Sequence, residues 1–161
     1  MAGESFAKTG IDGVVLRNTG TYGSPTLVEI TLVRDVNFGL PWDFGDASSR
    51  ATPIKLYEAV QGDLAISVVV RADDVDAGFQ ALFDAAMQKG AKLDLLVLDG
   101  PVTEEGAAGV RAHFKPSLTG QAQAIGDVQY CTFDLKAGYH TDGVPKIVDV
   151  GAESALTYTS F

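Results

Sequence analysis

Only one stretch of this chain has the periodicity of a helix, and that constrains its fold more than any other feature. Across residues 73–89, Val75, Phe79, Leu82, Phe83, Ala86 and Met87 recur at helical spacing and form one apolar stripe. Asp73 stands at the expected N-cap. Asp74 and Asp76 fall in the first turn, where a carboxylate meets the positive end of the helix dipole, and Lys89 and Gly90 supply the stop. The runs on either side have a period of two instead. In 64–71, Leu64, Ile66, Val68 and Val70 share one face; in 27–36, Val28, Ile30 and Leu32 oppose Glu29 and Thr31. Residues 93–98 are apolar on both faces, as in a central strand. The alternation of strand and helix that builds a parallel sheet is missing. The expected fold is therefore α+β and mainly β: an antiparallel β-sandwich or barrel with one flanking helix.

Shorter strands are expected at 13–17, 110–115, 127–135 and 155–161, with a turn at Gln61-Gly62-Asp63. Residues 116–126 are polar and rich in Gly, Gln and Ala and read as a loop. Residues 138–152 form a Gly/Asp-rich stretch, and 1–12 a loose N-terminal arm. A length of 161 residues fits a single domain, 1–161.

Residues 36–57 do not fit comfortably into such a domain. They form two extended runs joined by a polar tip, 45–49, and carry Phe38, Leu40, Phe44 and the chain's one tryptophan, Trp42. All four large apolar residues have even numbers, so an extended chain puts them on one face. Pro41 disfavours a central paired strand and favours an edge or a bent arm. A lone two-stranded hairpin is marginal in water, and a large exposed apolar patch marks an interface. The segment reads as a hairpin arm contacting further copies of the chain, with Asp46 in the tip and Arg50 on the return completing the contact set. Folding back onto its own core remains the alternative.

Catalytic chemistry finds little support. Metal sites need clustered His, Cys or carboxylates. His113 and His140 are far apart in sequence, the first reading as a sheet-surface residue and the second as a solvated loop residue. Cys131 lies within a strand and reads as a buried structural thiol rather than a nucleophile. Asp43-Phe44-Gly45 matches the kinase metal-binding triplet by letters only, without the rest of that machinery. Asp73, Asp74 and Asp76 lack the glycine and terminal glutamate of a calcium loop, and helix capping explains them. Glu104-Glu105 reads as solvated charge. No phosphate loop, dinucleotide fingerprint or nucleophile elbow is present. The expectation is a non-enzyme with no cofactor and no metal.

The charge limits the partners. With 21 acidic and 12 basic residues the net charge is −9, which opposes binding to a nucleic-acid backbone. No apolar run is long enough for a transmembrane helix, and the first ten residues lack a signal-peptide pattern, so no membrane anchor is expected and the origin reads as cytoplasmic. A single cysteine agrees with that compartment.

The order of elements, carried by residues 32–100, resembles the major tail tube protein of long-tailed bacteriophages. Three features carry the likeness: Arg50-Ala51-Thr52 returning from a long loop into a Lys-x-Tyr strand; Gly62-Asp63-Leu64 turning into an alternating strand; and Asp73-Asp74-Val75-Asp76 opening a helix with Phe79-x-x-Leu82 and a Gly90 stop. Gly126-Asp127-Val128 and Cys131-Thr132-Phe133-Asp134-Leu135 also fit. The resemblance implies hexameric rings stacked into a hollow tube in the virion tail, made in the host cytoplasm. The long loop would pack against neighbouring copies, tail-tip or initiator and terminator proteins would be further partners, and DNA would pass without specific binding. A non-catalytic β-sandwich module for ligands or carbohydrates is the competing class. It would want several aromatics on one exposed face of the compact domain.

Overall fold

The computed structural model describes residues 13–39, 42–46, 57–122, 128–141 and 145–160. Among the described residues, eleven strands and one α-helix follow in chain order: β1 Val14–Asn18, β2 Leu27–Glu29, β3 Val33–Gly39, β4 Trp42–Asp46, β5 Tyr57–Gly62, β6 Ala65–Arg71, α1 Ala77–Met87, β7 Leu93–Leu98, β8 Ala108–Ala122, β9 Tyr130–Ala137, β10 Lys146–Val150 and β11 Leu156–Ser160. Every described pairing is antiparallel. The mainly β, α+β class read from the sequence is what the chain adopts.

Nine strands form one sheet, in the order β2-β1-β7-β8-β9-β6-β3, with β10 joining β8 and β11 joining β10. The two ends of that order, β2 and β3, are separated by three residues, 30–32. Four Cα steps span at most about 15 Å, so the ends must lie close and the sheet must roll up on itself. The connection is bonded to both sides: Ile30 N–H donates to Val15 O at 2.9 Å, and Arg71 N–H donates to Leu32 O at 3.0 Å. Gly13 lies against Val36 here; a Cβ on it would come within 2.8 Å of the Val36 Cβ.

The rolled sheet encloses Val15, Ile66, Val68, Val70, Leu95, Val97, Val110, Ala112, Phe114, Cys131, Phe133 and Leu135. The alternation of 64–71 is as expected, with Leu64, Ile66, Val68 and Val70 all buried. Helix α1 covers this core with Phe79 and Leu82, and the Phe79 and Phe133 rings meet edge to face at 6.3 Å. Burying a side chain the size of Leu82 contributes about 1.5–3 kcal/mol. Residues 93–98 form the central strand that their apolar character predicts, because β7 has partners on both sides. A second cluster on its other face joins Leu16, Leu96, Leu98, Val148 and Val150 under the β10–β11 hairpin.

The structure corrects several expectations. The helix starts at Ala77, not 73, and Asp76 is the N-cap, its Oδ1 accepting from Phe79 N–H at 2.7 Å. Asp73 instead caps the preceding turn, accepting from Val75 N–H. Val75 is therefore not on the stripe; it sits in that turn, 92% exposed. Met87, the last helical residue, points off the core at 58% exposure. Lys89 lies beyond the helix, and Gly90, at φ 85°, serves the turn after the Gln88 C-cap. The run 27–36 divides at a corner. Ile30 turns into the core while Val28 stays exposed on an edge strand, so one alternating pattern covers two strands. Residues 116–122 are strand, not loop. Beyond Phe114, β8 has β9 on one side and no described partner on the other, and such an edge admits Pro116 and Gly120. The 138–152 stretch contains β10, whose buried Val148 and Val150 alternate with exposed Ile147 and Asp149. Gln61 and Gly62 end β5 rather than form a turn.

Candidate functional site

The segment singled out as a contact arm is a ribbon continuing the β3–β6 edge. Gly39 pairs with Ala65 at the end of the main sheet; pairing then resumes with Trp42 opposite Gly62 and runs to Asp46 opposite Tyr57. β4 and β5 form a two-stranded sheet of their own. A bulge between Asp43 and Phe44 leaves Val60 as the extra residue of β5, and bulges of this kind bend and twist a ribbon.

Of the six contact residues named from the sequence, Phe38 and Asp46 have described exposure. Phe38, opposite Ile66 in β3, is on the core-facing side of the strand but 45% exposed at the mouth of the rolled sheet. Asp46 is exposed at the far end of β4. Trp42 and Phe44 lie in β4. Leu40 and Arg50 lie outside the described residues, as do the tip, from 47 onward, and the N-terminal arm 1–12. At the root of the ribbon a cleft of ≈ 280 Å³ is bordered by Asn37, Gly39, Ala65, Ser67, Asp134 and Lys136. Lys136 Nζ there lies 3.2 Å from Asp63 Oδ2, both side chains exposed. Among the described residues β3 pairs on one side, with β6, and its other side has no described strand partner.

The sequence reading missed a second constellation, on the outer face of β7 and β8. Asp94 and Arg111 sit on adjacent strands and make a two-pronged pair, Nε to Oδ1 at 3.0 Å and Nη2 to Oδ2 at 2.6 Å. The Arg111 side chain is 3% exposed. Asn18 donates to Asp94 Oδ2, and Arg111 donates to Tyr22 O. The guanidinium stacks 4.4 Å from the Tyr22 ring centre and 5.5 Å from that of Tyr158. Burial pushes the Asp94 carboxyl up, but the hydrogen bonds from Arg111 and Asn18 and the charges of Arg111 and His113 outweigh it and hold it below its ordinary 3.8.

His113 is not the exposed sheet-surface residue expected, and His140 lies in a loop as expected but is packed rather than solvated. His113 is buried opposite Asp94, and the His140 ring stacks on it at 3.8 Å and 7°. Tyr22 packs on His113 at 5.3 Å. The clue in the sequence was a charged residue in each of two apolar strands, but nothing local told that Asp94 and Arg111 shared a face. Cys131 is buried as expected, and burial pushes its thiol up, away from a nucleophilic thiolate. Among the described residues, no three His, Cys, Asp or Glu side chains converge as a metal site.

No protein-family model matches the chain, and no curated protein matches it. Solved structures do. A chain of the SPP1 tail tube, determined by solid-state NMR and cryo-EM, superposes with a TM-score of 0.59 at 10% identity, over 81% of this chain and 75% of that one. A chain from the tail of an empty GTA particle with C6 symmetry superposes with a TM-score of 0.58 at 17% identity, over 96% of this chain and 100% of that one. The chain has the fold of phage tail tube proteins.

Proposed function

We propose that this chain is a structural protein that assembles into hexameric rings, stacked as a hollow tail tube through which DNA passes without specific binding. The observation that carries the reading is the fold shared over 96% of the chain with a subunit of a C6-symmetric tail, that subunit being matched along its whole length. The ribbon supports it. A ring needs a heterologous contact, one surface of each copy meeting a different surface of the next. A two-stranded extension of the β3–β6 pair supplies one half of such a contact. Phe38, Leu40, Trp42, Phe44, Asp46 and Arg50 form its contact set. Tail-tip, initiator and terminator proteins would close the two ends of the stack. Synthesis takes place in the host cytoplasm, and the chain has no catalytic role. The acidic balance, −9 per copy, suits a channel that must not hold DNA.

The competing ligand-binding module would need aromatics offered on one face of the compact domain. Tyr22, His113 and Tyr158 are instead engaged with Arg111 and with one another. Electron microscopy of the purified protein at high concentration, alone and with tail-tip partners, tests the proposal. Rings or tubes of sixfold symmetry are expected. A protein that stays monomeric under both conditions would overturn it.

A further inference from the structure

The two ends of the rolled sheet differ in charge, and each carries apolar side chains that the protomer leaves uncovered. β6 and α1 locate these ends. One end holds the close of β6, the turn before α1 and the entry to β9, where Ala72 N–H donates to Gln129 O. The other holds the start of β6, the last turn of α1 and the close of β9, with Ala65 opposite Lys136. Seven residues of strand and eleven of helix put the ends about 16–20 Å apart.

The first end is acidic. Among the described residues, Asp73, Asp74 and Asp76 gather there with Asp35 at the start of β3, against Arg71, which contacts Asp73 at 3.7 Å, and Arg34, which lies over the Tyr130 ring and contacts Asp35 at 3.4 Å. Val75 protrudes from the middle of this group at 92% exposure, and Val128 lies exposed on the strand entry beside it. The second end is basic in a protein that is acidic as a whole. Lys89, Lys92 and Lys136 are exposed there and outnumber Asp63, which lies beside Lys136, and exposed Asp84 in the last turn of α1. Lys92 Nζ donates to Tyr139 O and so ties the helix exit to the β9 exit. Met87 and Tyr139, 58% and 83% exposed, supply the apolar part. A fourth basic side chain, Lys115, is spent internally on the carbonyls of Ala85 and Gln88.

We propose that copies of this chain contact one another end to end, the basic end (Lys89, Lys92, Lys136, Met87, Tyr139) seated on the acidic end (Asp73, Asp74, Asp76, Val75, Val128) of the next copy. The occupant is a second copy because each end lacks what the other offers: opposite charge around an apolar centre, the composition of an interface core with its polar rim. Two identical ends would repel, so the contact is heterologous and propagates rather than closing as a twofold dimer. The inference rests on the tube reading and adds to the ribbon a second, electrostatic contact of known polarity.

The test uses two single charge reversals in the full chain, Lys89→Glu and Asp74→Lys. Both positions are exposed, and neither side chain is the N-cap. Each variant alone brings like charges together at the contact and should lose about tenfold or more in the protein concentration needed to assemble. Mixed in equal amounts, the variants present a reversed basic end to a reversed acidic end and a native end to a native end. The mixture should assemble, within about twofold of wild type by sedimentation and electron microscopy. Circular dichroism and melting temperature establish that both variants fold. Wild-type tubes with undiminished assembly of the single variants would overturn the end-to-end contact and leave the tube reading standing. Single variants that fail and a mixture that also fails would overturn it equally. A wild type that forms no assembly at all would overturn both.

Discussion

At the scale of single residues, two positions carry the most consequence for the fold. Gly109 stands in β8 where a Cβ would lie 1.8 Å from Val97 O and 2.8 Å from Leu98 Cα, both backbone atoms of the central strand. Nothing flexible can yield. Gly109→Ala should part β7 from β8 and cost about 3 kcal/mol or more, which for a domain of this size lowers the melting temperature by about 6–12 °C in a thermal scan. Arg111 stands beside a buried carboxylate. Arg111→Met leaves Asp94 without its main partner and should cost about 3–5 kcal/mol in urea unfolding at pH 7, part of which Asp94→Leu in the same chain recovers. The carboxyl of Asp94 is held below its ordinary value in the fold, so the stability it contributes is present above that value and is lost as pH falls through the folded one. Wild type should therefore weaken steeply on acidification below about pH 4, and Asp94→Asn should flatten that slope in unfolding curves from pH 5 to 2. None of this was visible in the sequence. Gly109 carries no distinguishing signal in the sequence, and Asp94 and Arg111 stand there as charged residues within the runs 93–98 and 110–115. Their pairing depends on the β7–β8 register, which brings together residues 17 apart.

Among the elements, those with a complete local pattern were legible and those defined by a partner were not. β6 shows its alternation in full because one face is core and the other outside, and β7 is apolar at every position but Asp94 because both faces are covered. The second half of β8 looks like a loop because it is a polar edge held by β9. The corner at Ile30 looks like mid-strand because the chain changes partners without breaking period. The ribbon was legible as two extended runs. Its independence from the main sheet, and the place where it leaves the β3–β6 pair, needed the pairing register. As an element it makes a separable prediction. Deleting residues 40–49 removes the whole of β4, and with it a two-stranded sheet that has no described ladder to the core. A soluble monomer with wild-type far-ultraviolet circular dichroism and no tubes by electron microscopy is expected. A deletion variant that still forms tubes would sink the role assigned to the arm.

For the whole molecule, the fold class followed from counting one helix against many strands, whereas the closure of the sheet rests on long-range order. Assembly should also respond to salt as a contact of opposite charges does: raising ionic strength from about 0.05 M to 0.5 M shortens the Debye length from roughly 14 Å to roughly 4 Å and should raise the concentration needed for tubes. Turbidity or sedimentation across that range checks it. The strand order has a further consequence in time. β6 lies between β3 and β9, and β1 lies between β2 and β7, so the first half of the chain cannot complete its sheet until residues 93–137 exist. A ribosome adds about 5–20 residues per second, so β1 waits several seconds for its main partner. During that wait the edges of β3 and β6 and the apolar core face stand open to other nascent chains. If the proposed function holds, a chain that polymerises when folded begins life in its most adhesive form, and its hazard during synthesis is premature association with its own kind.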